Sequence, residues 1–110
     1  MKRPPPDLLP GTLDMLILRV LARASMHGYG IAQRLRELSD DVLVVGESSL
    51  YPALQRLLLN DYVRADWAPS ENNRRARYYT LTSAGRKHLQ AEKAEFTRLI
   101  DAIHRVLLTA

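Results

Sequence analysis

The sequence predicts a mainly α-helical fold with one small β-hairpin and a long last helix. Before residue 61, apolar residues recur every three to four positions, as in helices that bury one face. Between residues 63 and 81 the period changes to two, as in half-buried strands, with turn-forming residues at 68–73. After residue 82 the helical spacing returns. These changes of period divide the chain into a helical part, a hairpin and a final helix.

Length and composition limit the possible functions. The chain has 110 residues, enough for one domain, and a formal net charge of +4, which suits an anionic partner. It contains no cysteine, which excludes disulfides, zinc–thiolate sites and cysteine nucleophiles. The longest apolar stretch, residues 13–24, holds three charged residues and is too short to cross a bilayer. No signal-peptide pattern precedes it, so we expect a cytoplasmic protein without a membrane partner.

Residues 1–10 form a proline-rich N-terminal arm in this prediction. Four prolines exclude a helix, and we expect an extended, disordered segment. A contact between its two basic residues and a phosphate is the alternative.

The first helix is predicted from Leu13 to Ala24, with Thr12 as its N-cap and Asp14 in its first turn. Met15 and Leu18 lie outside its apolar stripe, so the helix is apolar nearly all round. Such a helix must be covered on more than one side. Either a partner subunit or the rest of the domain provides the second cover. The stripe consists of Leu13, Leu16, Ile17, Val20 and Leu21.

A glycine-containing break at 25–30 separates this helix from a second one, predicted from Ile31 to Ser39. The pair Asp40-Asp41 predicts a turn, and Leu43 to Val45 is a candidate for a short strand.

The third helix, within Gly46 to Asp61, is predicted to have two unlike faces. Either Ser48 or Ser49 is expected to cap it, which places Pro52 in the first turn. One face is apolar; the other presents hydroxyl, phenol, amide and guanidinium groups. Gln55 can pair with adenine, and Arg56 with guanine or phosphate, as in helices that read the major groove. An ordinary amphipathic surface helix is the alternative. The outward residues are Ser48, Tyr51, Pro52, Gln55 and Arg56.

The hairpin has a basic tip. Val63, Ala65 and Trp67 alternate with polar residues in its first strand, and Arg75 to Leu81 forms the second. Arginines occupy positions 74, 75 and 77, and no acidic residue occurs from 72 to 90. This concentration of charge predicts a contact with phosphates or with the minor groove, in preference to a merely solvated hairpin.

No motif in the chain predicts catalysis. Gly28-x-Gly30 has Gln33 where a dinucleotide fingerprint needs glycine, and no strand is predicted before it. Gly46 to Leu50 lacks the second glycine of a nucleophile elbow. The three histidines show no metal-ligand spacing. We therefore expect neither enzymatic activity nor a metal or other cofactor.

Three helices followed by a basic hairpin is the element order of a winged helix-turn-helix. Several motifs within residues 10–90 resemble those of PadR-family transcriptional regulators, in the short form with a single C-terminal helix. The chain carries Pro-Gly-Thr-Leu at 10–13, His-Gly-Tyr-Gly at 27–30, Leu-Tyr-Pro-Ala-Leu-Gln-Arg-Leu at 50–57, Ser-Glu-Asn-Asn-Arg-Arg-Ala-Arg-Tyr-Tyr at 70–79 and Leu-Thr-Ser-Ala-Gly-Arg at 81–86.

The resemblance implies a dimeric DNA-binding repressor. Its third helix would enter the major groove, its wing would contact the backbone or minor groove, and its last helix would dimerise. Residues 11–81 would form the DNA-binding domain and 82–110 the dimerisation helix. Matching positions on the DNA side are Tyr29, Ser48, Ser49, Tyr51, Pro52, Arg74, Arg75 and Arg77.

The last helix shows an imperfect heptad pattern. Thr82 is its predicted cap; Leu89, Phe96 and Ile103 fall seven apart, and Glu92 interrupts the companion seam. We expect this helix to pack with the first helix across a two-fold axis. The predicted dimer contacts are Leu13, Leu16, Ile17, Val20, Leu89, Phe96, Leu99, Ile100, Ile103 and Leu107.

The sequence thus predicts a regulator, most simply a repressor, that binds a palindromic operator in double-stranded DNA as a homodimer. Two alternatives stay open. One is a winged-helix module that binds a partner protein. The other is a binder of small aromatic ligands in a dimer pore lined by Trp67; the identity of any such effector is unknown.

Overall fold

The computed structural model describes residue 8 and residues 11–109, so the predicted arm lies almost wholly outside the described residues. The structure has four helices and a three-stranded antiparallel sheet. It differs from the predicted element order by one additional strand and by the absence of the strand considered at Leu43 to Val45. The elements are α1 (Thr12–Leu21), β1 (Met26–His27), α2 (Gly28–Leu38), α3 (Glu47–Leu59), β2 (Val63–Pro69), β3 (Arg75–Leu81) and α4 (Ser83–Thr109).

The predicted N-caps of α1 and α3 are wrong. Thr12 is the first residue of α1, and the N-cap is Gly11, whose φ of 87° suits glycine. Helix α3 is capped by Gly46, whose carbonyl accepts hydrogen bonds from the amides of Ser49 and Leu50. Neither helix has a side-chain cap, because α1 begins one residue earlier and α3 two or three residues earlier than predicted. Pro52 consequently lies inside α3, not in its first turn.

Helix α2 begins at Gly28, three residues before the predicted start. The ring nitrogen Nδ1 of His27 accepts a hydrogen bond of 3.0 Å from the amide of Gly30 and caps the helix. Met26 and His27 form β1, which the sequence did not predict because two residues show no periodicity. The strand predicted at Leu43 to Val45 is wrong, since that segment is irregular.

The hairpin of β2 and β3 is confirmed, and its register runs from Val63 opposite Leu81 to Pro69 opposite Arg75. The short strand β1 pairs with the other edge of β3, giving the order β1-β3-β2. At the turn, Asn73 adopts a φ of 59°, a conformation that asparagine tolerates. Val63 and Tyr79 are buried at the base, whereas the distal half of the hairpin extends beyond the core.

One core joins α1, α2, α3, the base of the hairpin and the start of α4. Its most completely buried side chains are Ile17, Leu18, Ile31, Leu54 and Leu57. Helix α1 contacts the three other helices and β3, so its apolar surface is covered within this chain.

This packing covers four of the predicted dimer contacts within their own chain. Three of them lie on α1, which is surrounded by its own domain, and the fourth lies near the start of α4 on the same core. Leu16 remains partly exposed. The four buried residues are Leu13, Ile17, Val20 and Leu89.

The start of α4 is held firmly against the winged part. The predicted cap is confirmed, because the hydroxyl of Thr82 accepts a hydrogen bond of 3.0 Å from the amide of Gly85. A Cβ at Gly85 would lie 2.0 Å from the carbonyl oxygen of Tyr62, so only glycine fits there. The Tyr62 ring also stacks on His88 at 4.2 Å between centroids. These contacts fix the direction in which α4 leaves the domain.

Candidate nucleic-acid interface

The outward face of α3 is exposed, as its amphipathic pattern predicts. Leu50, Ala53, Leu54 and Leu57 are buried on the opposite side. Since the helix is anchored along this apolar stripe, its polar residues are presented in a defined direction. The exposed predicted site residues are Ser48, Ser49, Tyr51, Pro52 and Gln55.

A cleft of about 850 Å³ lies between this face of α3, the start of α2 and the wing. Tyr51 and Gln55 line it from α3, and Tyr29 from α2. The wing contributes Trp67 and Arg77. The fold therefore brings together residues that are up to 48 positions apart in the sequence, from Tyr29 to Arg77.

Tyr51 of α3 lies against Gly28 of α2. A Cβ added at Gly28 would lie 3.4 Å from the Tyr51 hydroxyl oxygen and 3.5 Å from its ring, which are ordinary van der Waals distances. The phenol thus packs over the start of α2. Tyr29, one residue further on, points into solvent with 74% of its surface exposed.

Arg56 is directed to a different partner. Its Nε lies 3.1 Å from one carboxylate oxygen of Asp14, and its Nη2 lies 2.7 Å from the other. This bidentate hydrogen bonding raises the pKa of Arg56 above its ordinary value. Arg56 is absent from the cleft lining, although its neighbour Gln55 is there. The structure therefore ties the exposed Arg56 to α1 and leaves it outside the cleft lining. The other predicted contacts outside that lining are Ser48, Ser49, Pro52, Arg74 and Arg75.

The wing arginines are arranged differently. Arg74, Arg75 and Arg77 are exposed, and no ion pair joins any of them to a carboxylate among the described residues. The guanidinium carbon of Arg75 lies 5.7 Å from the centroid of the Trp67 ring, and that of Arg77 lies 5.9 Å from the centroid of Tyr79. Their N–H groups are consequently open to an anion.

Some cleft residues were not predicted as site residues. Gln33 lies four residues after Tyr29 on α2, and both line the cleft. This spacing puts the two residues on one face of a helix, so it could have identified Gln33 from the sequence. Trp67 was predicted to be half-buried, yet 61% of its surface is exposed because the distal wing extends past the core. Trp67 lines the cleft, and the aromatic-ligand site considered beside it in a dimer pore stays a prediction.

The described part of the chain holds no group of three His, Asp or Glu side chains that could bind a metal ion. It also holds no helix that is long and apolar enough to span a membrane. The cleft offers hydrogen-bond donors and acceptors and aromatic faces, and Arg77 and Glu71 lie in its lining. Arg74 and Arg75 add positive charge on the wing outside that lining. Such a surface is suited to binding a polyanion.

Three helices, a polar face on the third and a basic wing define a winged helix-turn-helix DNA-binding protein. Residues 17–91, more than half of the chain, match the model of the transcriptional regulator PadR-like family. The chain belongs to this family.

Relatives and solved structures agree with this membership. A protein X of Lysinibacillus sphaericus is 30% identical over 98 residues, which are 86% of this chain and 90% of that protein. A transcriptional regulator from Clostridium thermocellum has a similar structure, with 29% identity, a TM-score of 0.79 and coverage of 86% of this chain and 92% of the other. A PadR family transcription regulator from Clostridium difficile is 27% identical, with a TM-score of 0.76 and coverage of 88% and 99%.

Family membership decides the general function. The protein is a DNA-binding transcriptional regulator and not an enzyme, as the sequence predicts.

Proposed function

We propose that the protein is a sequence-specific repressor that binds a palindromic operator as a homodimer. The exposed polar face of α3 enters the major groove, and the wing contacts the backbone or minor groove. Chromosomal DNA as the partner places the protein in the cytoplasm.

The observation that carries this proposal is the pairing of two surfaces around one cleft. Gln55, whose amide is exposed, and Arg77 of the wing line the same cleft, and Arg74 and Arg75 precede Arg77 on the wing. No described carboxylate forms an ion pair with any of these three arginines. An amide on a helix can read the edge of adenine, whereas free guanidinium groups bind phosphate. The helix is thus proposed to read bases and the wing to bind phosphates.

Dimerisation is supported by the apolar face of distal α4. From Gln90 to Thr109, the last described residue, none is buried, although large apolar side chains recur at heptad spacing. A second copy of α4 would cover them. The dimer contacts that stay in the proposal are Leu16, Phe96, Leu99, Ile100, Ile103 and Leu107.

A two-fold dimer places two copies of α3 on one side of the duplex. The two half-sites are then about one helical turn apart, because the recognition helices enter successive major grooves.

The experiment begins by sequencing DNA fragments recovered with the purified protein, which supplies the operator. Binding of the wild type, Gln55→Ala and Arg75→Ala to that operator and to a scrambled duplex is then measured at several salt concentrations. We expect Gln55→Ala to cost about 1–3 kcal/mol on the operator alone. Arg75→Ala should weaken binding to both duplexes. It should also reduce the slope of the logarithm of the binding constant against the logarithm of the salt concentration by about one.

Two outcomes would count against the proposal. Equal losses on both duplexes for Gln55→Ala would remove the base-reading role of α3. Salt-independent binding throughout would favour a module that binds a partner protein.

The repressor role rests on the family resemblance and has its own test. A reporter gene placed behind the recovered operator should be transcribed less in the presence of the wild type than in the presence of Arg75→Ala. Higher transcription with the wild type would make the protein an activator.

A further inference from the structure

One face of the hairpin carries two cations and two aromatic rings in alternation. In the register of β2 and β3, Trp67 lies opposite Arg77, while Arg75 and Tyr79 flank Arg77 two residues away on its own strand. Side chains two residues apart in a strand, and those directly opposite across strands, share a face. Arg75, Trp67, Arg77 and Tyr79 therefore form what we call the arginine–aromatic ladder.

The two rings of the ladder differ in burial. Tyr79 is 5% exposed and belongs to the core, so its position is explained by packing. Trp67 is mostly exposed and lies on the part of the wing that extends past the core. Its close neighbour on this face is the guanidinium group of Arg75, 5.7 Å from the ring centroid. Packing of the core does not account for Trp67.

A guanidinium group held by a ring differs from one held by a carboxylate. A carboxylate accepts hydrogen bonds from the N–H groups, as Asp14 does from Arg56 and Glu95 does from Arg98. An aromatic face instead attracts the flat surface of the cation and leaves its N–H groups free at the edge. Stacking is therefore a way to restrict an arginine while its donors stay open to a phosphate.

We infer that Trp67 is a positioning residue for Arg75, which it holds in the orientation that binds a DNA phosphate. This inference rests on the proposed function, because it assumes that Arg75 contacts DNA. In this arrangement the effect of Trp67 on DNA binding passes through Arg75.

The test is a double-mutant cycle on the DNA affinity of the full chain. Trp67→Leu keeps an apolar side chain but removes the ring, and Trp67→Phe restores a ring. We expect Trp67→Leu to weaken binding to any duplex about three- to fivefold, which is the effect of one exposed cation–π contact. We expect Trp67→Phe to stay within about twofold of the wild type. In the Arg75→Ala background, Trp67→Leu should have almost no further effect.

Arg64→Ala is the matched control, because Arg64 is an exposed arginine on the same hairpin but on the other face, opposite Thr80. It removes the same charge without touching the ladder. Adding Trp67→Leu to Arg64→Ala should therefore reduce affinity by the same three- to fivefold factor as in the wild type.

Several results would overturn the inference. One is that Trp67→Leu leaves the DNA affinity unchanged. Another is that Trp67→Phe lowers the affinity as much as Trp67→Leu does. A third is that Trp67→Leu lowers the affinity by the same factor whether or not Arg75 is present. The last result would mean that Trp67 contacts DNA directly or acts through the fold. A wild type that binds no DNA would instead refute the proposed function, so the two failures are distinguishable.

Discussion

Helices α1 and α4 each carry an apolar stripe but have different surroundings in the fold. Both were predicted to form the dimer, since each carries more apolar surface than one neighbour can cover. In the structure, six residues of α1 are buried within the chain, whereas α4 has only Gly85 and Leu89 buried, both near its start. Beyond them, α4 exposes Phe96, Leu99 and Ile103.

The difference arises from where the two helices lie. Helix α1 is surrounded by three helices and a strand, while α4 has 27 residues and a length of about 40 Å, much of it beyond the domain. An apolar stripe indicates that a helix will be covered but does not indicate by which chain. The following experiments test whether α1 stabilises the monomer and α4 the dimer.

The largest effect is expected from Ile103→Asp. In the proposed dimer this side chain, 42% exposed in the single chain, becomes buried in the α4 seam. An unpaired charge there costs about 3–5 kcal/mol, so the dimer should dissociate at micromolar concentration. Sedimentation measures the loss.

His104→Asp is the control for this experiment, since it adds an acidic residue one position further, outside both seams. It should leave the dimer intact. A wild type that sediments only as a monomer would contradict the dimer itself.

A smaller effect is expected from Ile17→Ala, which leaves a cavity at a side chain with 0% exposure. We expect the free energy of unfolding to fall by about 3 kcal/mol, the middle of the range for such core truncations. Because Ile17 is covered by its own chain, the loss should be the same at every protein concentration.

Ile103→Ala provides the contrast in the same denaturation experiments, because its effect should depend on protein concentration. If the loss of stability caused by Ile17→Ala depended on protein concentration, α1 would belong to the dimer interface.

The smallest effect is expected from Arg56→Ala. The pair of Arg56 and Asp14 joins α3 to α1 at the surface, and its loss should cost about 0.5 kcal/mol of stability after solvent screening. Asp14→Asn should have a similar effect. DNA affinity should stay within about twofold of the wild type. A salt dependence flattened by about one unit would show that Arg56 binds phosphate, as first predicted from the sequence.

The agreement between sequence and structure is best where local periodicity determines the outcome. The apolar stripe of α3 left Tyr51 and Gln55 outside, and the two-residue period placed Arg75 and Arg77 on a hairpin. Both patterns are properties of a single element, because the direction of a side chain follows from its position in a helix or strand. For the same reason the hydroxyl cap at Thr82 was predictable from its own neighbours.

Tertiary structure decided the features that depend on contacts between distant segments. The position of α1 among its neighbours decides which carboxylate pairs with Arg56. It also decides whether Ile17 faces the core of its own chain or a partner. The two-residue strand β1 exists because β3 offers it an edge to pair with. The paired residues are far apart in the sequence: 51 positions for His27 with Tyr78 and 53 positions for Met26 with Tyr79. The sequence by itself determined which faces are polar or apolar, since these are local periodic properties. Only the packed fold decided what each face meets, because such contacts join segments that are far apart along the chain.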